Sequence, residues 1–209
     1  MYRLSPTLLD GYRLYCEQDW MSLPDIEARI RREPMVPTPA MRLGAAFHGI
    51  AEGQWVQGEG DTYLVDGLTF DALSVDEAFF KLPTGVSEVP CSRIMPKTLY
   101  GPVQLSGRVD RLVGLTPWEI KTKIEILDPE RYADSLQWLA YAWMLGVREV
   151  RYLLVQLEEK GGIWRVKDAD TLTLYAPDDP TMVLRPWIER LMQHAERRGL
   201  LEHLNRGEI

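Results

Sequence analysis

Three residues in the middle of the chain, Asp110, Glu119 and Lys121, have the types and spacing of a hydrolytic metal site. They lie in two segments of alternating apolar and polar residues, which the sequence predicts to be short strands joined by a Thr-Pro turn. Successive strand side chains point to opposite faces, so each strand has an apolar side and a charged side. The apolar parity of the first strand is carried by Val103, Leu105, Val109 and Val113. Asp110, Glu119 and Lys121 can therefore converge on one face.

Two carboxylates on adjacent strands repel each other unless a positive charge lies between them, and their oxygens suit Mg²⁺ or Mn²⁺. Lys121 lies on the same face as Glu119, where its ammonium can orient an attacking water and stabilise charge on a phosphate. A divalent metal polarises the phosphoryl oxygen and lowers the pKa of bound water. The set outlines a metal-dependent phosphodiester hydrolase. The same residues are also typical of a solvated antiparallel sheet face, so both interpretations stay open at this point.

The composition is that of an ordinary globular protein, with 209 residues, 45% hydrophobic and 26% charged. We expect a single domain over residues 1–209. No window approaches the roughly 18 consecutive apolar residues of a membrane span, and the start lacks a basic-then-apolar signal pattern. We therefore expect an intracellular, cytoplasmic protein that does not bind membranes. The net charge of −7 argues against a large surface that coats nucleic acid, but not against a local basic groove.

The predicted elements alternate between helices and strands along the chain. A first helix starts at Pro6 after the N-cap Ser5 and ends near Trp20. The other predicted elements are an extended connection over 33–39, a helix over about 40–56, a loop over 58–67, a short helix opened by a capping box at Ser74–Glu77, a strand over 86–94, one helix over 128–146, strands over 149–157, 163–166 and 172–175, and a final helix over about 180–204.

Other side chains are candidates for the same site. His48, in the second helix, is either a structural or exposed histidine or a metal ligand. Glu88, in the strand over 86–94, is either a further acidic contributor or an exposed strand residue. Gln137 and Tyr141 stand four apart in the helix that follows the strand pair, where they can donate hydrogen bonds to a phosphate or line a helix boundary.

Five short motifs, in order, resemble those of the RecB-type nucleases of the PD-(D/E)xK superfamily, over roughly residues 3–158. The motifs are Leu4-Ser5-Pro6-Thr7-Leu8, Gly44-x-x-x-His48, Gly107-x-x-Asp110, Glu119-Ile120-Lys121 and Gln137-x-x-x-Tyr141. The resemblance implies an α/β (α+β) fold in which helices flank a mixed central sheet, with the restriction-endonuclease-like core at about 3–158 and a C-terminal strand and helix at about 163–204.

The resemblance also implies roles for these residues. His48, Asp110, Glu119 and the backbone carbonyl of Ile120 would bind one or two Mg²⁺ or Mn²⁺ ions, and Asp110, Glu119 and Lys121 would be catalytic. Gln137 and Tyr141 would orient the DNA backbone. Positively charged residues nearby are expected to hold the strand through its phosphates, and these are Arg108, Lys123, Arg131 and Arg151.

One feature departs from the family. Many RecB-type proteins carry an iron–sulfur cluster on one early and three late cysteines, whereas this chain has only Cys16 and Cys91. We therefore expect no iron–sulfur cluster and no disulfide framework. With no helicase motif present, the expected partners are DNA and either further copies of the chain or a recombination partner protein. A compact nuclease of this kind would suit the genome of a phage or mobile element.

The expected activity is DNA hydrolysis with little sequence specificity, by an exonuclease acting in recombination or repair and leaving a 5′-phosphate. Two alternatives remain. One is a structure-selective or single-strand endonuclease with the same chemistry. The other is a nucleic-acid-binding subunit that keeps the fold without turnover.

Overall fold

A mixed β-sheet forms the centre of this computed structural model, in which residues 1–17 and 21–205 are described. Within these residues the sheet has nine strands in the order β1-β6-β7-β8-β9-β4-β3-β2, and β5 pairs with β6 outside that path. The strands are β1 (Tyr2–Leu4), β2 (Val56–Gln57), β3 (Thr62–Val65), β4 (Leu68–Asp71), β5 (Val86–Met95), β6 (Val103–Val113), β7 (Thr116–Lys123), β8 (Glu149–Lys160) and β9 (Ile163–Tyr175).

Helices pack on both faces of this sheet and form two separate hydrophobic cores. They are α1 (Pro6–Cys16), α2 (Leu23–Arg31), α3 (Pro39–Ala51), α4 (Ala72–Phe79), α5 (Pro129–Ala133), α6 (Leu136–Leu145), α7 (Thr181–Arg197) and α8 (Leu201–Asn205). The first core joins α1, α2, α6, α7 and α8 to the sheet, and the second joins α3 and α4 to it. A mixed sheet flanked by helices is the predicted fold class, which is confirmed.

The strand pair that carries the candidate carboxylates forms as an antiparallel hairpin, but its turn differs from the prediction. Thr116 and Pro117 lie inside β7, where they pair with Val113 and Leu112. The turn is formed by Gly114 and Leu115, and Gly114 has a φ of +60°, which a glycine adopts without a steric penalty. The predicted Thr-Pro turn is therefore wrong by two residues.

The first third of the chain contains elements that the pattern did not predict. The helix α2 lies between the first helix and the extended connection, and a capping box of Ser22 and Asp25 starts it. The strand β3 lies inside the segment expected to be a loop, and β2 and β4 lie on either side of that segment. The N-cap of α4 is Asp71, three residues before the expected N-cap Ser74, because the side chain of Asp71 accepts a hydrogen bond from the amide of Ser74.

The remaining boundaries differ in smaller ways. The helix expected over 128–146 is two helices, because Ser135 caps a new start for α6. The two expected late strands form one continuous strand, β9, and Gly199 separates α7 from α8. The helix α1 reaches Cys16, and Trp20, where its end was expected, lies outside the described residues. Among the helices described, none is both long and apolar enough to cross a membrane.

Candidate active site

The site lies where β6 and β7 stop pairing. Their ladder runs from Val113 and Thr116 to Arg111 and Trp118 and ends there. One residue further on, the amide of Asp110 donates to Oε1 of Glu119 at 3.4 Å, and the amide of Ile120 donates to Oδ2 of Asp110 at 2.7 Å. Carboxylates thus replace the main-chain acceptors that a continued ladder would supply. The two strands separate at this point, and both carboxylates are held in the gap.

Other strands hold each side of this gap in place. β7 pairs in parallel with β8 along six residues, from Trp118 opposite Arg151 to Lys123 opposite Gln156. β6 pairs with β5 along most of its length and with β1 at its start. The gap is therefore part of a rigid sheet, and it is not a frayed strand end.

The apolar side chains of β6 face different cores before and after Asp110. Val103, Leu105 and Val109 belong to the first core, whereas Val113 packs against the second. The single apolar parity predicted for these four residues is therefore wrong. Glu88, on β5 between the pairs Ser87–Arg111 and Val89–Val109, has a φ of +55°, which is rare for a residue with a side chain. Such backbone conformations are often found at functional sites.

Glu119 is the most deeply buried ionisable group of the site, with 1% of its side chain exposed. Its Oε2 accepts from Nζ of Lys121 at 3.1 Å and from Nε2 of Gln137 at 3.2 Å. The pKa of Glu119 is raised to about 7 in total, because burial, the largest cause, and the charge of Asp110 raise it by more than the charge of Lys121 lowers it. The carboxylate therefore depends on nearby positive charge to stay ionised.

Lys121 provides that charge. Burial lowers its pKa, but the charges of Glu119 and Asp110 outweigh burial, and the pKa lies above its ordinary value. Its Nζ also lies 5.9 Å from the centre of the ring of Tyr152, which is fully buried opposite Glu119 on β8. With 27% of its side chain exposed, Lys121 is a fixed cation that can still contact a bound molecule.

The helix α3 brings His48 to the same gap from the second core. A Cβ on Gly44 would lie 3.1 Å from Oγ1 of Thr122, so glycine lets the helix approach β7 closely one turn before His48. Nε2 of His48 is 3.0 Å from the carbonyl oxygen of Ile120, and its Nδ1 is 3.7 Å from Oδ1 of Asp110. The imidazole therefore lies beside both strands of the gap.

The helix α6 brings Gln137 and Tyr141 from the opposite side. Nε2 of Gln137 is 3.4 Å from the hydroxyl of Tyr141, which donates to the carbonyl oxygen of Arg108 at 2.9 Å. A Cβ on Gly107 would lie 3.1 Å from both Pro6 and the ring of Tyr141, so the glycine lets α1 and α6 pack on β6. Gln137 and Tyr141 are thereby fixed to both strands.

The residues expected to contact phosphates differ in their positions relative to the gap. Arg108 is exposed beside the gap and forms a 3.2 Å salt bridge with Glu88. Lys123 lies at the end of β7, with its Nζ 5.7 Å from the centre of the Tyr132 ring. Arg151 pairs with Glu149 and packs over Trp118, whose side chain belongs to the second core. The expectation that Arg151 contacts a phosphate at this site is therefore not supported by its position.

Sequence reasoning gave Glu52 no role at the site, although it lies near it. This residue follows His48 by one helical turn and caps α3. Burial raises the pKa of Glu52, and the charges of Glu88 and Asp110 raise it further. The spacing of four residues from His48 was the signal in the sequence, since such residues share one side of a helix. Glu52 and Glu88 extend the acidic side of the gap.

The donor set fits a divalent metal in its chemistry. It offers two carboxylates, an imidazole and a carbonyl oxygen, and the 3.0 Å between His48 Nε2 and the Ile120 oxygen equals the separation of about 3 Å between neighbouring ligands of one small ion. Among the described residues, however, no three His, Cys, Asp or Glu side chains come close enough together to hold a metal by themselves. Lys121 and Gln137 contact the Glu119 oxygen that would have to turn towards the ion.

Comparison with other proteins gives matches at the level of structure only. Neither the protein-family models nor the curated protein sequences gave a match. Two crystal structures of LHK-Exo, an alkaline exonuclease from Laribacter hongkongensis, one of them in complex with dAMP, superpose with TM-scores of 0.54 and 0.52 at 12% and 11% identity. They cover 97% and 98% of this chain and 91% and 92% of LHK-Exo. The crystal structure of SSO0001 superposes with a TM-score of 0.53 at 12% identity, over 93% of this chain and 77% of SSO0001.

At these identities the similarity establishes the fold. The chain shares the fold of LHK-Exo along nearly its whole length. A fold of this kind can carry more than one activity, so the chemistry has to be argued from the site itself.

Proposed function

We propose that this protein is a Mg²⁺- or Mn²⁺-dependent DNA exonuclease of the RecB type, acting in recombination or repair with little sequence specificity. The observation that carries the proposal is the convergence of His48, Asp110, Glu119 and Lys121 on one gap in the sheet. These groups come from α3 and from the consecutive strands β6 and β7, which lie far from α3 in the sequence. An ordinary solvated sheet face would not bury Glu119 or place a helical imidazole beside Asp110.

The proposed metal ligands are His48, Asp110, Glu119 and the carbonyl oxygen of Ile120. A bound Mg²⁺ or Mn²⁺ would supply Lewis acidity at the phosphoryl oxygen. The four groups are hard or borderline donors of the kind that such ions prefer. For Glu119 to join them, its carboxylate must exchange at least one of its present contacts with Lys121 and Gln137.

The protein's own groups would then carry out the remaining tasks. The ammonium of Lys121 donates a hydrogen bond to the attacking water and stabilises the charge that develops on the phosphate. The water oxygen forms the new bond to phosphorus as the bond to the 3′ oxygen breaks. The water loses a proton to solvent and the 3′ oxygen gains one, which leaves a 5′-phosphate and a 3′-hydroxyl. Gln137 and Tyr141 orient the DNA backbone, and Arg108 and Lys123 contact phosphates.

The preference for an exonuclease rests on the similarity to LHK-Exo, which covers nearly all of this chain. The groups named above are suited to contacts with the DNA backbone. Among the described residues near the gap, no helix or strand ribbon is placed to read bases in a DNA groove. This supports low sequence specificity.

The proposal is tested by purifying the protein with the variants Lys121→Ala and Asp110→Ala. Their matched controls are Lys167→Ala and Asp168→Ala, at exposed positions on β9. The substrates are a linear duplex, the same duplex blocked at its 5′ or its 3′ ends, a single strand and a closed circle, each with Mg²⁺ or Mn²⁺.

We expect the linear duplex to be degraded by the parent and both controls and to be left intact by both active-site variants. Loss of degradation on blocking one type of end would identify the exonuclease and its polarity. Cleavage of the closed circle would favour the endonuclease alternative. Equal degradation by the parent and both active-site variants would contradict the proposed chemistry.

A further inference from the structure

A cavity of about 530 Å³ lies between α1 and α7, two helices that carry none of the candidate active-site residues. This volume is within the roughly 300–1,000 Å³ that is typical of small-molecule sites. The lining combines rings, positive charges and a thiol, and its residues are Tyr12, Cys16, Glu17, Trp187, Arg190, Gln193, His194 and Arg197.

Aromatic rings form one wall of this α1–α7 cavity. The rings of Tyr12 and Trp187 meet edge to face, with their centroids 6.5 Å apart and an interplanar angle of 82°. The ring of His194 lies 5.4 Å from Tyr12 and 5.6 Å from Tyr15. Tyr12 is anchored further by its hydroxyl, which donates to the carbonyl oxygen of Arg190 at 3.1 Å. A fixed set of ring faces of this kind is suited to stack a flat base.

The cavity carries a net positive charge. The carboxylate of Glu17 is paired with Arg13, outside the lining, so its negative charge is already compensated. Arg190 and Arg197 are exposed, and neither forms a salt bridge with any other described residue. The guanidinium carbon of Arg190 lies 5.2 Å from the centre of the Trp187 ring, which leaves the N–H edge of the group available to an anion.

A polar atom of the aromatic wall also lacks a partner. Nε2 of His194 is buried and makes no hydrogen bond within the described part of the chain. Burial lowers the pKa of His194, so the imidazole is neutral near pH 7 and can donate or accept one bond. Because this nitrogen has almost no exposed surface, a ligand in the cavity would contact the ring of His194 and not its Nε2.

We propose that the α1–α7 cavity binds a nucleoside phosphate, with the base against Tyr12, Trp187 and His194 and the phosphate on Arg190 and Arg197. The chemistry is shared by two sources, a free mononucleotide and a nucleotide within single-stranded DNA. The site goes beyond the proposed nuclease activity and does not depend on it, because none of its residues belongs to the gap between β6 and β7.

The test measures binding by calorimetry to the full chain in EDTA, where divalent metal cannot support cleavage. One arm uses dAMP and the other a 5′-phosphorylated oligo-dT. The variant is the double substitution Arg190→Gln with Arg197→Gln, and the matched control is Arg165→Gln with Lys167→Gln on β9, which removes the same charge elsewhere. We expect the cavity variant to bind at least about tenfold more weakly and the control to stay within about twofold of the parent.

The two arms identify the source. Saturable binding of dAMP that is lost in the cavity variant indicates a mononucleotide site, and binding of the oligonucleotide alone indicates a strand site. Equal binding by the parent and the cavity variant, or no binding in either arm, overturns the proposal. A protein without nuclease activity that still binds dAMP would leave this proposal standing and contradict only the proposed function.

Discussion

The amide of Ile120 donates a 2.7 Å hydrogen bond to Oδ2 of Asp110 across the gap between β6 and β7. One oxygen of this carboxylate therefore joins the two strands where their ladder has ended. The other, Oδ1, faces the Nδ1 of His48 at 3.7 Å. One oxygen of Asp110 thus makes a structural contact with β7, and the other faces the imidazole of His48. A substitution can therefore separate the structural role of Asp110 from its role in the site.

Replacing Asp110 with asparagine should abolish activity without unfolding the protein. An asparagine keeps an oxygen that can accept from the amide of Ile120, but it loses the negative charge that a divalent ion and the lysine require. We expect the single-turnover rate of cleavage to fall roughly 10²- to 10³-fold, the range found when a charge-stabilising group is removed. The melting temperature should stay close to that of the parent. Asp168→Asn on β9 is the control, and a D110N protein as active as this control would contradict the assignment.

Lys121 and Glu119 should be coupled in stability as well as in activity. The Lys121→Met change leaves the carboxylate of Glu119, 1% exposed, without its cation. An unpaired buried charge of this kind costs about 1–3 kcal/mol or more. The double variant Glu119→Gln with Lys121→Met removes both charges, so it should be more stable than Lys121→Met alone.

The coupling is measured by urea unfolding of the parent, the two single variants and the double variant in metal-free buffer. If the changes in the free energy of unfolding caused by the two single substitutions add to within about 0.5 kcal/mol of the change in the double variant, the two side chains do not interact as the structure has them. The same double-mutant cycle at Lys167 and Asp168, which are adjacent and exposed on β9, measures the coupling between two charges at the surface.

Part of the candidate site was predictable from the sequence, because several of its residues follow local patterns. Glu119 and Lys121 share a strand face by their spacing of two, and Gln137 and Tyr141 share a helix face by their spacing of four. The gap between β6 and β7 was not predictable, since nothing local indicates that a ladder ends at Arg111. Two side chains, from residues nine positions apart, replace its hydrogen bonds.

The fold was predictable in class but less so in its short elements. The strands β2, β3 and β4 have two to four residues each and lie in a segment rich in glycine and aspartate, where turn residues hide the alternation. They are stabilised by a contact outside this segment, since β4 pairs with β9, which lies almost a hundred residues later in the sequence. The helix α2 was different, since the capping box of Ser22 and Asp25 is visible in the sequence.

Stability should fall in mild acid because of His194. Burial is the main cause of its lowered pKa, and the charges of Arg197 and Arg198 act in the same direction against that of Glu27. The unfolded chain, with a histidine pKa of about 6.5, therefore binds a proton at a higher pH than the folded protein does. This contribution to stability is fully present above the unfolded pKa of about 6.5 and is lost as the pH falls through the lower pKa of the folded protein.

His194→Gln should flatten this part of the stability curve, and His203→Gln in α8 is the control. The measurement is urea unfolding at intervals between about pH 5.5 and 7.5. A slope that is unchanged in His194→Gln and lost in His203→Gln would assign the effect to the wrong histidine.

Divalent metal should stabilise the folded protein only when the ligands at the gap are intact. A ligand that binds the folded state alone adds about 2.7 kcal/mol at a concentration 100 times its dissociation constant, which raises the melting temperature. We expect Mn²⁺ to produce such a rise in the parent, and a smaller one or none in His48→Gln and Glu119→Gln. Lys121→Met should still respond, because its side chain is not a ligand and its loss removes one of the two side-chain contacts to Oε2 of Glu119. His203→Gln controls for non-specific binding, and an equal rise in all of these proteins would place the ion elsewhere.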